Sequence, residues 1–170
     1  MYPINHIPPA NTDNSTTGCC PQFDPSGWDG QTFVFEGKNF VKAETRSFLY
    51  MPLNMTSVIS KTWKAIEDAD AKDSSESLLL TQDVSPWKAN NYFWTTKEVA
   101  GQENVKLSGT FKSMVFEGKY RDAKQWYEAL KHLGESEGNS SPEIYFYYTT
   151  CPRCAKVYGK NYVVGFVKIS

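Results

Sequence analysis

Hydrophobic positions change their period several times along the chain, and each change marks an element. Residues 31–36 alternate Phe33 and Phe35 with Thr32 and Val34, the period of a strand, and Gly37-Lys38-Asn39 reads as the turn that starts the return at 40–43. Residues 45–53 are again strand-forming, with Phe48 and Tyr50 on one face and Leu49 and Met51 on the other, until Pro52 limits the ladder. From 54 to 70 the period lengthens. Val58, Ile59, Trp63, Ile66 and Ala69 fall three or four apart behind Asn54, Thr56 and Ser57, which predicts an amphipathic helix with its own capping candidates. A polar stretch at 70–77 ends it, and 78–81 and 91–96 follow as strands joined through a turn containing Pro86.

The same order then recurs. A long strand is expected over 105–116, closed by Gly118, and a helix over 121–137 with Ala123, Trp126, Leu130 and Leu133 on one stripe and Gly138 as its left-handed cap. Strands at 143–149 and 162–169 complete the second set. The expectation is an α+β domain made of tandem duplicated strand-helix-strand-strand halves, about 41–100 and 105–170, with a period of about 65 residues. They would form one curved antiparallel sheet with two helices on one face and a cleft between the halves. Residues 1–18, rich in proline and small polar residues, read as a flexible leader ahead of a single domain over 19–170. Residues 19–30 read as an ordered loop anchored by Phe23 and Trp28.

Composition narrows the function. Of 170 residues, 40% are hydrophobic and 15% aromatic, and the net charge is -1. Disorder of the whole chain is excluded, and no global positive field exists to draw nucleic acid or anionic membrane. No apolar stretch reaches the length of a membrane span, and the first residues lack the basic start and apolar run of a secretory signal. The expected location is cytoplasmic and the expected partner a small organic molecule. Nothing in the composition decides the oligomeric state.

The four cysteines come as pairs, Cys19 with Cys20 and Cys151 with Cys154. The second pair has the Cys-Pro-x-Cys form of a metal knuckle, whose spacing lets two thiolates grip one tetrahedral ion. A turn at Pro21 aiming the first pair at the same ion would complete a four-thiolate site, with zinc as the structural metal, and staple the amino-terminal loop to the end of the second half. Two alternatives stay open: a low-pKa thiol of the second pair used in redox or nucleophilic chemistry, or four inert reduced thiols. Histidine is scarce. His6 lies in the leader and His132 on a polar helix position, so no histidine-based triad can be assembled. Hydrolysis would instead need a carboxylate and a tyrosine, and Glu117, Glu143 and Tyr147 are the candidates for that role. Tyr92 and Trp94, Tyr145 and Tyr147, and Tyr162 recur on single strand faces. They are the candidates for an aromatic cleft that binds a planar or cationic guest.

The stretch from Leu107 to Tyr120, ending Glu117-Gly118-Lys119-Tyr120 before a Trp-bearing helix, resembles the second half of gyrase-inhibitor-like small-molecule-binding domains. Phe116 and Lys119 stand where that family often has histidine and proline. A narrower resemblance joins Cys19-Cys20-Pro21 and Phe23-Asp24-Pro25 to Cys151-Pro152-Arg153-Cys154-Ala155-Lys156. These motifs are similar to those of uncharacterised bacterial and archaeal proteins labelled hydrolases. The narrower resemblance implies a fold and a label and no particular reaction, whereas the gyrase-inhibitor-like one implies a cleft for aromatic or cationic organic molecules, with hydrolysis in some members of that family. Many members carry a glutamate on the last strand, but 161–170 holds no carboxylate, which leaves Glu44, Asp83, Glu117 and Glu143 as acidic candidates. Two competing readings are a non-enzymatic sensor or interaction module, and a protein whose function centres on the zinc or redox chemistry of its cysteines.

Overall fold

The computed structural model describes residues 2–10, 15–18 and 20–170. Among the described residues it is an α+β chain of seven strands and three α-helices. These are β1 (Thr32–Phe48), β2 (Met51–Pro52), α1 (Met55–Asp68), β3 (Leu79–Ser85), β4 (Lys88–Trp94), β5 (Glu103–Glu117), α2 (Ala123–Ser136), β6 (Ile144–Tyr148), α3 (Pro152–Tyr158) and β7 (Tyr162–Lys168). Among the described residues, no helix is long and apolar enough to cross a membrane. The chain divides into two compact units, Glu36–Ser108, and Met1–Phe35 together with Gly109–Ser170.

In the unit Glu36–Ser108 the strand order is β2-β1-β4-β3. The pairs are antiparallel, with Val41 opposite Phe93 and Phe93 opposite Leu79. Because side chains alternate along a strand, Val41 and Phe93 share a face, and α1 covers it. Ile66 and the residues beyond the helix, Ala71 and Val99, complete that core, and Trp63 meets Phe93 edge-on at 5.1 Å between ring centres. The same face buries Asn91 completely. Its carboxamide accepts from Thr81 Oγ1 and donates to Thr45 Oγ1 and the Ala43 carbonyl, so burial leaves none of these groups unmatched.

The turn expected at Gly37-Lys38-Asn39 does not form, and β1 runs unbroken for 17 residues. Gly37 adopts φ +56°, a value that costs glycine nothing, and its N–H goes to Ser108 Oγ at 2.8 Å. The irregularity is absorbed as a kink within the strand. The chain reverses later, at Leu49 and Tyr50, whose φ values are +48° and +70°. A tight hairpin with two left-handed residues ordinarily uses Asn-Gly, and two bulky side chains there cost about 1–2 kcal/mol each.

In the other unit the order is β6-β7-β5, again antiparallel. Val163 and Val167 on one face of β7 meet Trp126 and Leu130 of α2, together with Ile144 and Phe146 of β6. Gly165 lies between them, and the Leu130 side chain occupies the space a Cβ would need. Tyr162, Val164 and Phe166 alternate to the opposite face. Residues from the expected leader are held here: Ile4 forms a parallel bridge to Val34, the Asn5 N–H donates to the Val34 carbonyl, and Ile7 is buried.

Candidate functional site

Three thiols converge in the unit that contains both chain ends. Cys151 occupies the N-cap position of α3, and Pro152 opens the helix, where its missing N–H leaves nothing unsatisfied. Cys154 therefore lies one turn further along, back toward Cys151. Cys20 approaches from the amino-terminal segment, and the three sulfurs lie within 4.8 Å of one another. Around a tetrahedral ion with sulfur bonds near 2.3 Å, sulfurs sit about 3.8 Å apart, so a small contraction brings these three to metal distance. The surroundings suit charged sulfur. The Cys151 N–H points at Cys20 Sγ over 3.4 Å, and the Thr17 hydroxyl lies 3.2 Å from Cys154 Sγ. That hydroxyl, then the Cys20 backbone, bring the Cys154 thiol down to about 6. Tyr158 of α3 also donates to the Cys20 carbonyl, as does Ser15 at 3.0 Å. The group can hold a metal ion. Cys19, the fourth expected ligand, lies outside the described residues.

From Cys20 the chain crosses the face of β6 and β7 that points away from α2. Phe23 packs on Tyr147 and Tyr162, with ring centres 6.3 and 5.7 Å away. Trp28, which is buried, packs on Tyr147, Phe33 and Phe166 at 5.4–6.2 Å. Polar contacts fix the far end. Ser113 of β5 donates to the Trp28 carbonyl, the Val115 N–H donates to Asp29 Oδ1 at 2.9 Å, and Ser113 exchanges backbone hydrogen bonds with Gly30 and Gln31. A strap of about ten residues is thus tied at one end by thiols and at the other by β5, with two aromatic rings lying on tyrosines between.

The register places the expected catalytic residues on this strap-covered face. Glu117 is opposite Tyr162, and Tyr147 is opposite Val164. Glu143 lies on the same face, accepting from the Tyr145 hydroxyl at 3.2 Å and lying 3.9 Å from Lys168 Nζ. The two glutamates do not form a pair. Glu143 lies beside Lys168 and Glu117 beside Tyr162, six positions along β7, or about 20 Å at the rise of a strand. Glu117 shares its end of the sheet with Tyr147 and the thiols. The phenol of Tyr147 is pushed up to about 12 by burial, with the charge of Cys20 adding to it, so it is a hydrogen-bond donor and not a base at neutral pH.

The remaining candidates fall elsewhere. Tyr92 and Trp94 belong to the unit Glu36–Ser108, where both are buried and meet Phe40 edge-on. Lys38 Nζ lies 3.9 Å from the Trp94 ring centre, and burial lowers its pKa. Glu44 is exposed and pairs with Lys88 at 2.9 Å, and Asp83 is exposed. His132 is exposed on α2. Sequence reasoning missed Thr17, Ser113 and Tyr158.

The chain matches the family described as bacterial hydrolase over residues 10–169, and it belongs to that family. No curated protein gives a significant match.

Proposed function

We propose that the protein hydrolyses a small aromatic or cationic organic ester at the face formed by Tyr145, Tyr147 and Tyr162, beneath the strap carrying Phe23 and Trp28. One observation supports the reading above the others: Glu117 and Tyr147 lie at the same end of that face, two strands apart and two positions along, about 10–12 Å between backbones. A small molecule reaching both side chains would take the place of the Phe23 ring, which packs on Tyr147 and Tyr162. Glu117 is exposed and takes the proton of an attacking water. Tyr147, a neutral phenol, donates to the oxyanion that forms. The alcohol then leaves with the proton returned by Glu117.

Zinc bound by Cys20, Cys151 and Cys154, with Cys19 as the fourth ligand, is the structural part of the same proposal. An all-thiolate closed site has no open position for substrate, so the ion holds the strap and takes no part in the reaction. The gyrase-inhibitor-like ancestry, the duplication of two halves and the cytoplasmic location belong to this reading too. A second reading, in which Cys154 is itself the nucleophile, is favoured by its lowered pKa and is separated from the first by metal content.

The test is hydrolysis of 4-nitrophenyl acetate and bulkier aromatic esters by the intact protein. Turnover should fall about 100-fold or more in Glu117→Gln and by a comparable factor in Tyr147→Phe, with Glu143→Gln unchanged. Turnover that survives Glu117→Gln would refute the assignment. Binding without turnover would make the protein a sensor.

A further inference from the structure

The tyrosine face is covered. Phe23 lies on both Tyr147 and Tyr162, so a substrate at that face must displace the strap that carries it. The two ends of the strap are held by different chemistry. At the Trp28 end the ties are a buried indole and hydrogen bonds to β5. At the Cys20 end the tie is to α3 and runs largely through sulfur. The Cys151 N–H points at Cys20 Sγ, and Thr17, on the same segment, lies 3.2 Å from Cys154 Sγ, with the Tyr158 hydroxyl on the Cys20 carbonyl beside them. Sulfur bonding is the one tie here that oxidation can change and reduction restore.

The three sulfurs are not equivalent. Cys151 and Cys154 both belong to the first turn of α3, which the Ala155 N–H closes onto the Cys151 carbonyl at 2.9 Å. Residues three apart on a helix have Cα atoms about 5 Å from each other, inside the range of roughly 4.4–6.8 Å that a disulfide accepts. Their sulfurs are already within 4.8 Å. Cys20 comes from 131 positions before Cys151, on a segment that no helical turn holds in place. Cys151 is partly exposed and Cys154 is buried, which sets an accessible thiol in front of a resolving one.

We propose that Cys151 and Cys154 are a reversible oxidation site, whose disulfide leaves Cys20 out of the bond and lifts Phe23 from the tyrosine face. The oxidant is hydrogen peroxide. The Cys151 thiolate attacks it, takes one oxygen as a sulfenic acid and releases hydroxide. The Cys154 thiolate then attacks that sulfur, the S–S bond forms, and the second oxygen leaves as hydroxide. Two sulfurs are oxidised and both peroxide oxygens are reduced. A metal ion held by the group loses two of its ligands in the same step. What the opened face does rests on the hydrolase reading, whereas its opening rests on the cysteines.

The experiment treats the intact, reduced protein with hydrogen peroxide and maps disulfides by peptide mass. Chymotrypsin reports the strap, because it cuts after Phe23 only when that ring leaves the tyrosines. A Cys151–Cys154 disulfide is expected, with cleavage after Phe23 at least about tenfold faster, residues 109–170 still protected, and both changes reversed by dithiothreitol. Cys20→Ser should be cut at the fast rate before any oxidant is added. A disulfide that includes Cys20 would bolt the strap down and overturn the inference. So would the absence of any disulfide, a Cys151–Cys154 disulfide that leaves Phe23 protected, or slow cleavage of reduced Cys20→Ser. Ester hydrolysis is followed in parallel. Oxidised protein that releases the strap yet hydrolyses no ester would uphold this inference and count against the hydrolase reading alone.

Discussion

The N–H of Cys151 is directed at the sulfur of Cys20, 3.4 Å away and 131 positions earlier in the chain. This contact carries the amino-terminal segment to the start of α3, and it makes the strap a part of the unit that contains the tyrosine face. Its consequences for stability and chemistry can be measured separately.

Removal of metal should loosen the strap before it unfolds the sheet. Treatment with a chelator is expected to make the segment 15–30 susceptible to protease while residues 109–170 stay protected. Tryptophan emission should shift to the red as Trp28 leaves its contacts with Tyr147 and Phe166. Cleavage unchanged by chelator, in protein that carries metal beforehand, would show that the aromatic contacts alone hold the segment.

In metal-free protein the thiols should make stability depend on pH. The folded value for Cys154, about 6, lies below the ordinary thiol value of 9.0. A depressed folded pKa contributes stability that is present above the unfolded value and lost as pH falls through the folded one. Melting temperature should therefore rise between pH 6 and pH 9, and Cys154→Ala should flatten that rise. Metal-loaded protein should show less of it, because the ion has already displaced the protons.

Gly165→Ala tests the packing of β7 on α2. The added methyl meets Leu130 in a fully buried position, and overpacking of this kind costs about 1–3 kcal/mol. Thermal denaturation of the variant should show the loss, and pairing it with Leu130→Ala should restore part of it. Additive losses would mean that the two residues do not compete for space.

Asn91→Ala in the other unit removes a carboxamide that serves Thr81, Thr45 and Ala43 at once. Each buried group left without a partner costs about 1–3 kcal/mol, so this substitution should destabilise more than Glu44→Ala at the surface. Equal effects in chemical denaturation would contradict the network.

Much of the fold was legible in the sequence. The helices expected at 54–70 and 121–137 are found at Met55–Asp68 and Ala123–Ser136, because each carries a long apolar stripe anchored by a tryptophan. Helix α3 left no such stripe. Its seven residues include Arg153 and Lys156, and only proline at its start and left-handed Gly159 at its end speak for it. The turn at Gly37 was misread because glycine marks a kink inside a strand as readily as a reversal. The reversal at Leu49 and Tyr50 was invisible because neither residue is a turn former. At the site, the knuckle spacing pointed to Cys151 and Cys154, and a turn at Pro21 pointed to Cys19 and Cys20, of which Cys20 joins the group and Cys19 lies outside the described residues. The roles of Thr17 and Tyr158 arise from contacts across more than 130 positions, which no local pattern encodes.

The most direct test of the thiol clamp is elemental analysis of the purified protein, combined with a count of thiols reacting before and after unfolding. About one zinc per chain, with the cysteines titrating only after unfolding, is the result expected of a closed structural site. Metal-free protein with a fast-reacting thiol in the folded state would contradict it and move the chemistry to Cys154.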